Sequence, residues 1–170
     1  ILVQLTHFED HRGYFCETYN RSRYIELGID VEFVQDNQSL SHAIGTLRGL
    51  HFQTPPAAQA KLVSCVRGAI FDVAVDIRRG SPTYGKWEGY ELTAENGHQL
   101  YVPVGFAHGF VTLEANSEIV YKCTDYYAPE AEGAVLWNSC GIEWPLSGDP
   151  ILSDKDQEAP FLADFDSPFV

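Results

Sequence analysis

Short apolar runs, broken every ten residues or so by Gly, Pro, Asn and Asp, fill most of the chain, and many alternate apolar with polar positions. The pattern predicts an all-β protein with strands near 1–5, 14–19, 31–38, 46–53, 60–66, 69–77, 86–93, 98–103, 109–114 and 118–125. One short helix is expected at 21–27. Asn20 can accept from its first free N–H groups, and Gly28 can close it in the left-handed conformation. A further helical turn is expected near 154–158. The Pro- and Asp-rich tail after Asp149 reads as a wrapping segment, and no linker or repeat divides residues 1–170, which are taken as one domain. About ten strands with so little helix point to a jelly roll or a closed barrel, which limit exposed sheet edges.

Two strands carry polar residues where apolar ones are expected. In 69–77, Phe71, Val73, Val75 and Ile77 share one face, and Ile70, Asp72, Ala74 and Asp76 share the other. The first face is core. The two carboxylates on the second need solvent, a subunit contact or a cation-lined pocket. In 46–53, Arg48 and His51 would point to opposite faces under strict alternation. A bulge at Gly49 would bring both to one side, although a strand His also serves often as a satisfied structural residue.

Composition narrows the class of partner. The 170 residues include 11 basic and 24 acidic ones, a net charge of −13, which excludes broad binding to nucleic acid or anionic membrane. The imbalance is uneven: residues 1–86 hold nine of each sign, and residues 87–170 hold two basic and fifteen acidic. A small anionic ligand would be met by the first part. No apolar run approaches the roughly 18 residues of a membrane span. Cys16, Cys65, Cys123 and Cys140 are scattered without a CxxC pair and read as reduced thiols of a cytoplasmic protein. The chain opens at Ile1 and holds no Met, so a short preceding segment is expected.

The residues with chemical potential are few. Lys61 opens an apolar strand, where it is either an exposed edge charge or an inward cation suited to an oxyanion. Tyr121 shares a face with Ile119 and Cys123 and is either packed or a proton donor in a dry pocket. His7 and His11 bracket Glu9 and Asp10 in a Gly-bounded turn, a weak candidate for metal; none is expected. His108 is placed in a tight loop between Phe106 and Gly109, where ligand contact is common. No nucleophile elbow, P-loop or dinucleotide fingerprint is present. The remaining His, Lys, Tyr, Arg and carboxylates suit proton transfer beside a carbonyl.

Several strings in order then carry a resemblance over almost the whole chain. They are Phe33-Val34-Gln35-Asp36-Asn37, Leu47-Arg48-Gly49-Leu50-His51-Phe52-Gln53, Lys61-Leu62-Val63, Phe71-Asp72-Val73-Ala74-Val75-Asp76-Ile77-Arg78, Ser81-Pro82-Thr83, Pro103-Val104-Gly105-Phe106-Ala107-His108-Gly109-Phe110 and Leu152-Ser153-Asp154-Lys155-Asp156. With them the chain resembles the dTDP-4-dehydrorhamnose 3,5-epimerases, which are cofactor-free and built on a cupin-like jelly roll. The resemblance implies that His51 is the base at C3 and C5 of the sugar and that Asp156 orients it. Lys61 would hold the C4 oxyanion, and Tyr121 would be the acid on the other face. Substrate contacts would come from Arg12, Glu17, Gln35, Asp36, Asn37, Arg48, Lys61, His108, Glu132 and Lys155, with Asp72 a pocket carboxylate. It also implies a dTDP-sugar substrate and a homodimer whose N-terminal strand pairs with the partner's sheet, so that Arg12 would serve the neighbouring site. The alternatives weighed are a 3- or 5-monoepimerase of an antibiotic-sugar pathway, a non-catalytic sugar-nucleotide-binding cupin, a metal-dependent cupin and a structural all-β interaction domain.

Overall fold

The computed structural model describes residues 1–170. Its strands are β1 (Leu2–Gln4), β2 (Phe8–Asp10), β3 (Gly13–Phe15), β4 (Gln35–Ser41), β5 (Leu47–Gln53), β6 (Lys61–Arg67), β7 (Ala69–Asp76), β8 (Trp87–Thr93), β9 (His98–Val102), β10 (Phe106–Thr112), β11 (Ser117–Cys123) and β12 (Glu132–Ala134). Two short helices, α1 (Arg21–Glu26) and α2 (Asp154–Gln157), complete the regular structure with two single 3₁₀ turns.

The strands form two five-stranded antiparallel sheets, ordered β1-β9-β6-β11-β4 and β12-β5-β10-β7-β8, with β2 and β3 as a separate hairpin. Successive strands cross repeatedly from one sheet to the other, so β4-β11-β6-β9 faces β5-β10-β7-β8. That is the jelly-roll arrangement the short alternating runs predict.

Three apolar clusters pack the sheets, and the outer face of the first sheet is covered only in part. Between the sheets lie Val63, Cys65, Ile70, Leu92, Leu100, Val102, Phe110 and Ile119. The outer face of the second sheet presents Leu50, Phe52, Val73, Val75 and Ile77, which the chain's end covers with Phe165 and Phe169. The outer face of the first sheet packs Leu62 and Tyr101 against Tyr24 of α1 and Ile29. Asn20 caps α1 by accepting from Ser22 N–H, and Gly28 takes φ +85° beyond its end. The tail wraps as expected: Thr46 and Ile151 form a parallel bridge, and Leu47 N–H donates to Ile151 O at 3.0 Å.

Several expected boundaries move. Residues 31–34 are not strand: Val31 and Phe33 instead pack against the α1 cluster, and the strand starts at Gln35. The strand expected at 14–19 ends at Phe15, because Thr18 O is taken by the Tyr24 hydroxyl and the Gln99 amide. The turn at 7–11 carries a strand, β2, and the apolar-poor β12 was not expected at all. β1 pairs with β9 of its own chain.

Candidate active site

His51 and Arg48 reach the same cavity because β5 carries one residue more than β10 between their pairings. His108 pairs with His51 and Phe110 with Arg48, so three steps along β5 match two along β10. The extra residue requires glycine. Gly49 has φ +125°, and a Cβ there would stand 2.5 Å from Gly109 Cα and 2.7 Å from His108 O. His108 is therefore a residue of strand β10, not of a loop as the flanking glycines suggested. Gly109 is itself needed where a Cβ would meet Arg48 O at 2.8 Å.

The space between the sheets opens at one end into two adjoining cavities of ≈ 400 and ≈ 230 Å³, both lined by His51, Lys61 and Tyr121. His51 comes from one sheet; Lys61 and Tyr121 come from the other. Arg48, His108 and Asp156 complete the first cavity; Gln35, Asn37, Tyr127 and Glu132 line the second. A larger hollow of ≈ 530 Å³ lies on the outer side of the first sheet, toward the β2-β3 hairpin. It touches Tyr121 but holds none of His51, Lys61 or Asp156.

His51 Nε2 and Asp156 Oδ1 are 2.5 Å apart. Asp156 is fixed from within the first turn of α2, where Ser153 Oγ accepts from Asp156 N–H at 3.2 Å and donates to Asp156 Oδ2 at 2.7 Å. Burial pushes the Asp156 carboxyl up, but the bonds from His51 and Ser153 outweigh it and hold the group below its ordinary value. The carboxylate therefore stays charged and fixes the orientation of the imidazole.

Burial pushes the Lys61 ammonium down from its ordinary value, and nearby Cys123, Asp72 and Glu132 only partly oppose this. Its Nζ sits 6.0 Å from the Tyr121 ring centre. Burial also raises the Tyr121 phenol, which Arg48 partly offsets, so the hydroxyl keeps its proton well into the alkaline range. Arg48 donates to Ser41 Oγ and Leu40 O, holding its guanidinium at the rim.

Asp72 and Asp76 face inward from β7, but only Asp72 belongs to the site. It is fully buried and 2.7 Å from His108 Nε2. Asp76 instead closes the following turn, accepting from Arg78, Ser81 and Thr83, which together overcome burial and hold its carboxyl far below the ordinary range.

The remaining expected contacts divide. Gln35 and Asn37 line the second cavity, but alternation turns Asp36 to the outer face, where it pairs with Lys122. Glu132 is bound by Lys155 and by the Tyr127 hydroxyl, which outweigh burial and lower its carboxyl. Arg12 lies on the exposed β2-β3 turn, bonded to Asp10, and Glu17 pairs with Arg23 beside α1; neither borders the two cavities. Ser153 and Tyr127 were not singled out in the sequence as site residues. The Ser153-Asp154-Lys155-Asp156 spacing, a capping-box variant, is the signal that could have found the first.

A jelly roll with a histidine–aspartate pair on one wall and a lysine and a tyrosine on the other defines an acid–base enzyme site. Residues 1–164 match the family model described as dTDP-4-dehydrorhamnose 3,5-epimerase, and the chain belongs to that family. It is 56% identical over 158 residues to the dTDP-4-dehydrorhamnose 3,5-epimerase of Salmonella typhimurium, covering 91% of this chain and 86% of that one. Among solved structures, the Legionella pneumophila enzyme in complex with dTDP-4-keto-L-rhamnose superposes with a TM-score of 0.93 at 48% identity, covering 97% of this chain and 88% of that one. The Bacillus anthracis enzyme with TDP and PPi bound gives 0.91 at 49% identity, covering 94% and 92%. This chain shares its cupin-like fold with both of these solved structures.

Proposed function

We propose that the chain inverts C3 and C5 of dTDP-4-dehydro-6-deoxy-D-glucose, giving dTDP-4-dehydro-L-rhamnose. The observation that carries this reading is the His51–Asp156 pair set across a cavity from Lys61 and Tyr121, within a family of that activity. C3 and C5 both flank the C4 ketone, so a proton on either is acidified by the carbonyl. His51 takes that proton on Nδ1, the ring nitrogen that Asp156 does not engage, and Asp156, bonded to Nε2, stabilises the imidazolium that forms. The electron pair moves onto the C4 oxygen, where the Lys61 ammonium, poorly screened in its buried position, holds the enolate. Tyr121 returns a proton from the opposite wall, and removal and return on opposite faces invert the carbon. His51 then releases its extra proton to solvent and Tyr121 takes one back, which regenerates both groups.

Arg48, His108, Gln35, Asn37, Glu132 and Lys155 are the groups proposed to hold the nucleotide. Arg48 suits a diphosphate through paired hydrogen bonds. No step in this scheme calls on a cofactor. The chain is further proposed to form a homodimer through the outer face of the first sheet. Val66 and Leu40 are exposed there, and the hairpin leaves Phe8, Tyr14 and Phe15 exposed. Arg12 would then serve the neighbouring site. A sedimentation measurement of a monomer at micromolar concentration would contradict this.

The test of the reaction is the configuration of the product by NMR after incubation with dTDP-4-dehydro-6-deoxy-D-glucose. Inversion at both carbons is expected. Inversion at one carbon would make the protein a monoepimerase, and unchanged substrate would refute the reading.

A further inference from the structure

Between the end of β11 and the 3₁₀ turn at Pro129–Ala131 the chain runs past the second cavity, which Tyr127 lines. Asp125, Tyr126 and Tyr127 belong to no strand or helix and take part in no hydrogen bond between main-chain groups. Tyr126 and Tyr127 are 66% and 56% exposed, so apolar burial does not fix them either. A segment with so few contacts of its own ordinarily opens at little cost.

Three glutamine side chains, each from a different part of the fold, take up its polar groups instead. Gln59, in the loop before β6, donates to Asp125 O at 2.7 Å. Gln53, the last residue of β5, donates to Tyr126 O at 3.1 Å and accepts from Ala128 N–H at 3.0 Å. Gln35, the first residue of β4, accepts from Tyr127 N–H at 2.9 Å. The Tyr126 N–H closes on Asp125 Oδ1 at 2.8 Å. Gln53 is the centre of this arrangement. It is buried, and its amide also donates to Ala57 O at 2.6 Å, so both of its hydrogens are spent inside the chain and none is left for a ligand. It stands two residues after His51 on the same face of β5, so one strand both presents the histidine and sets a wall of the cavity.

We propose that Gln53 is a positioning residue that acts through Tyr127. By clamping Tyr126 O and Ala128 N–H on either side of Tyr127, it holds that side chain as a preformed wall of the second cavity, with its hydroxyl donating to Glu132 at 3.1 Å. A wall already in place does not have to be ordered when a ligand binds. A loosened wall lowers the apparent affinity in proportion to the time it spends out of place. The consequence for ligand rests on the sugar-nucleotide reading; the clamp does not.

The test is amide hydrogen exchange, followed by NMR, in the full ligand-free chain and in Gln53→Met, which keeps the length of the side chain without its amide. The Tyr127 N–H is the informative group, because its own acceptor, Gln35, is untouched. It should exchange about tenfold faster or more in the variant, while amides inside β5 and β11 keep their rates. An unchanged Tyr127 rate would overturn the clamp. Calorimetric titration with dTDP should show about tenfold weaker binding in Gln53→Met, and unchanged affinity would overturn the role in binding. With the sugar-nucleotide substrate, KM should rise by a similar factor and kcat should stay within about twofold, because His51, Lys61, Tyr121 and Asp156 are intact. A fall in kcat larger than the rise in KM would overturn the assignment to positioning of the cavity wall. Where Gln53→Met does not fold, Gln59→Ala removes only the bond to Asp125 O and should also speed exchange at Tyr127; an unchanged rate there would overturn the proposal. If exchange and dTDP binding change as expected but the chain leaves the sugar unaltered, the epimerase reading falls and the clamp stands.

Discussion

His51 and Asp156 are 105 positions apart in the chain, yet Nε2 of one and Oδ1 of the other are separated by 2.5 Å. Strand β5 supplies the first. The second arrives because the tail is laced to the start of β5, with Leu47 N–H donating to Ile151 O and Ile151 N–H donating to Gly45 O. The His51–Asp156 pair is thus assembled by main-chain bonds that involve neither side chain.

Ser153 is the hinge of that assembly, so Ser153→Ala removes a helix cap and a bond to Asp156 Oδ2 together. The expected cost is about 1 kcal/mol of stability, with a fall in kcat and little change in KM. Denaturant melts beside steady-state kinetics check both. Asp156 also sets an acid limit. Its carboxyl is held below the ordinary value of 3.8, so its stabilising contribution is complete above that value and is lost as pH falls through the lowered one.

Lys61 gives opposite pH signs for activity and stability. Burial lowers its ammonium below the ordinary 10.5, so the unfolded chain binds more protons than the folded one between the two values. Stability contributed by this residue therefore rises with pH across that window, while turnover falls as the cation that holds the oxyanion is lost. Lys61→Met should abolish the alkaline loss of activity that remains measurable, lower kcat by about a hundredfold or more, and leave the chain no less stable. Calorimetry and a pH–rate profile of both proteins would show it.

Tyr121 separates proton removal from inversion. Tyr121→Phe should still exchange substrate α-protons with solvent, because His51, Asp156 and Lys61 are intact, but should return them without inverting the carbon. A variant that inverts at the wild-type rate would remove Tyr121 from the role of acid.

Gly49 tests the bulge. With φ +125° and a Cβ meeting β10 main chain at 2.5 Å, Gly49→Ala can fit only if β5 and β10 part. Destabilisation of several kcal/mol is expected, and any folded fraction should lose activity because Arg48 and His51 no longer share a face.

Much of this was legible in the residues. Alternation placed most strands, Asn20 and Gly28 bounded α1, and Gly49 marked the bulge that unites Arg48 with His51. The resemblance supplied the pairing of His51 with Asp156, which no local pattern contains. What local pattern missed was decided by tertiary contact. β12 is too short and polar to announce itself and exists because Gly133 lies under Phe52, whose ring would stand 2.4 Å from a Cβ there. His108 looked like a loop residue because Gly105 and Gly109 flank it, yet Gly109 serves close approach of two strands, not a turn. The resemblance grouped Asp36 with Gln35 and Asn37, and a strand's period of two turns its side chain to the other face of β4.

The most direct test of the account is proton exchange at the two carbons beside the ketone. Wild-type protein and His51→Asn are each incubated with dTDP-4-dehydro-6-deoxy-D-glucose in D₂O and followed by NMR. The wild type should place deuterium at both C3 and C5, and His51→Asn should slow both by about a thousandfold. Deuterium entering either carbon at the wild-type rate in His51→Asn would contradict the assignment of His51 as the base.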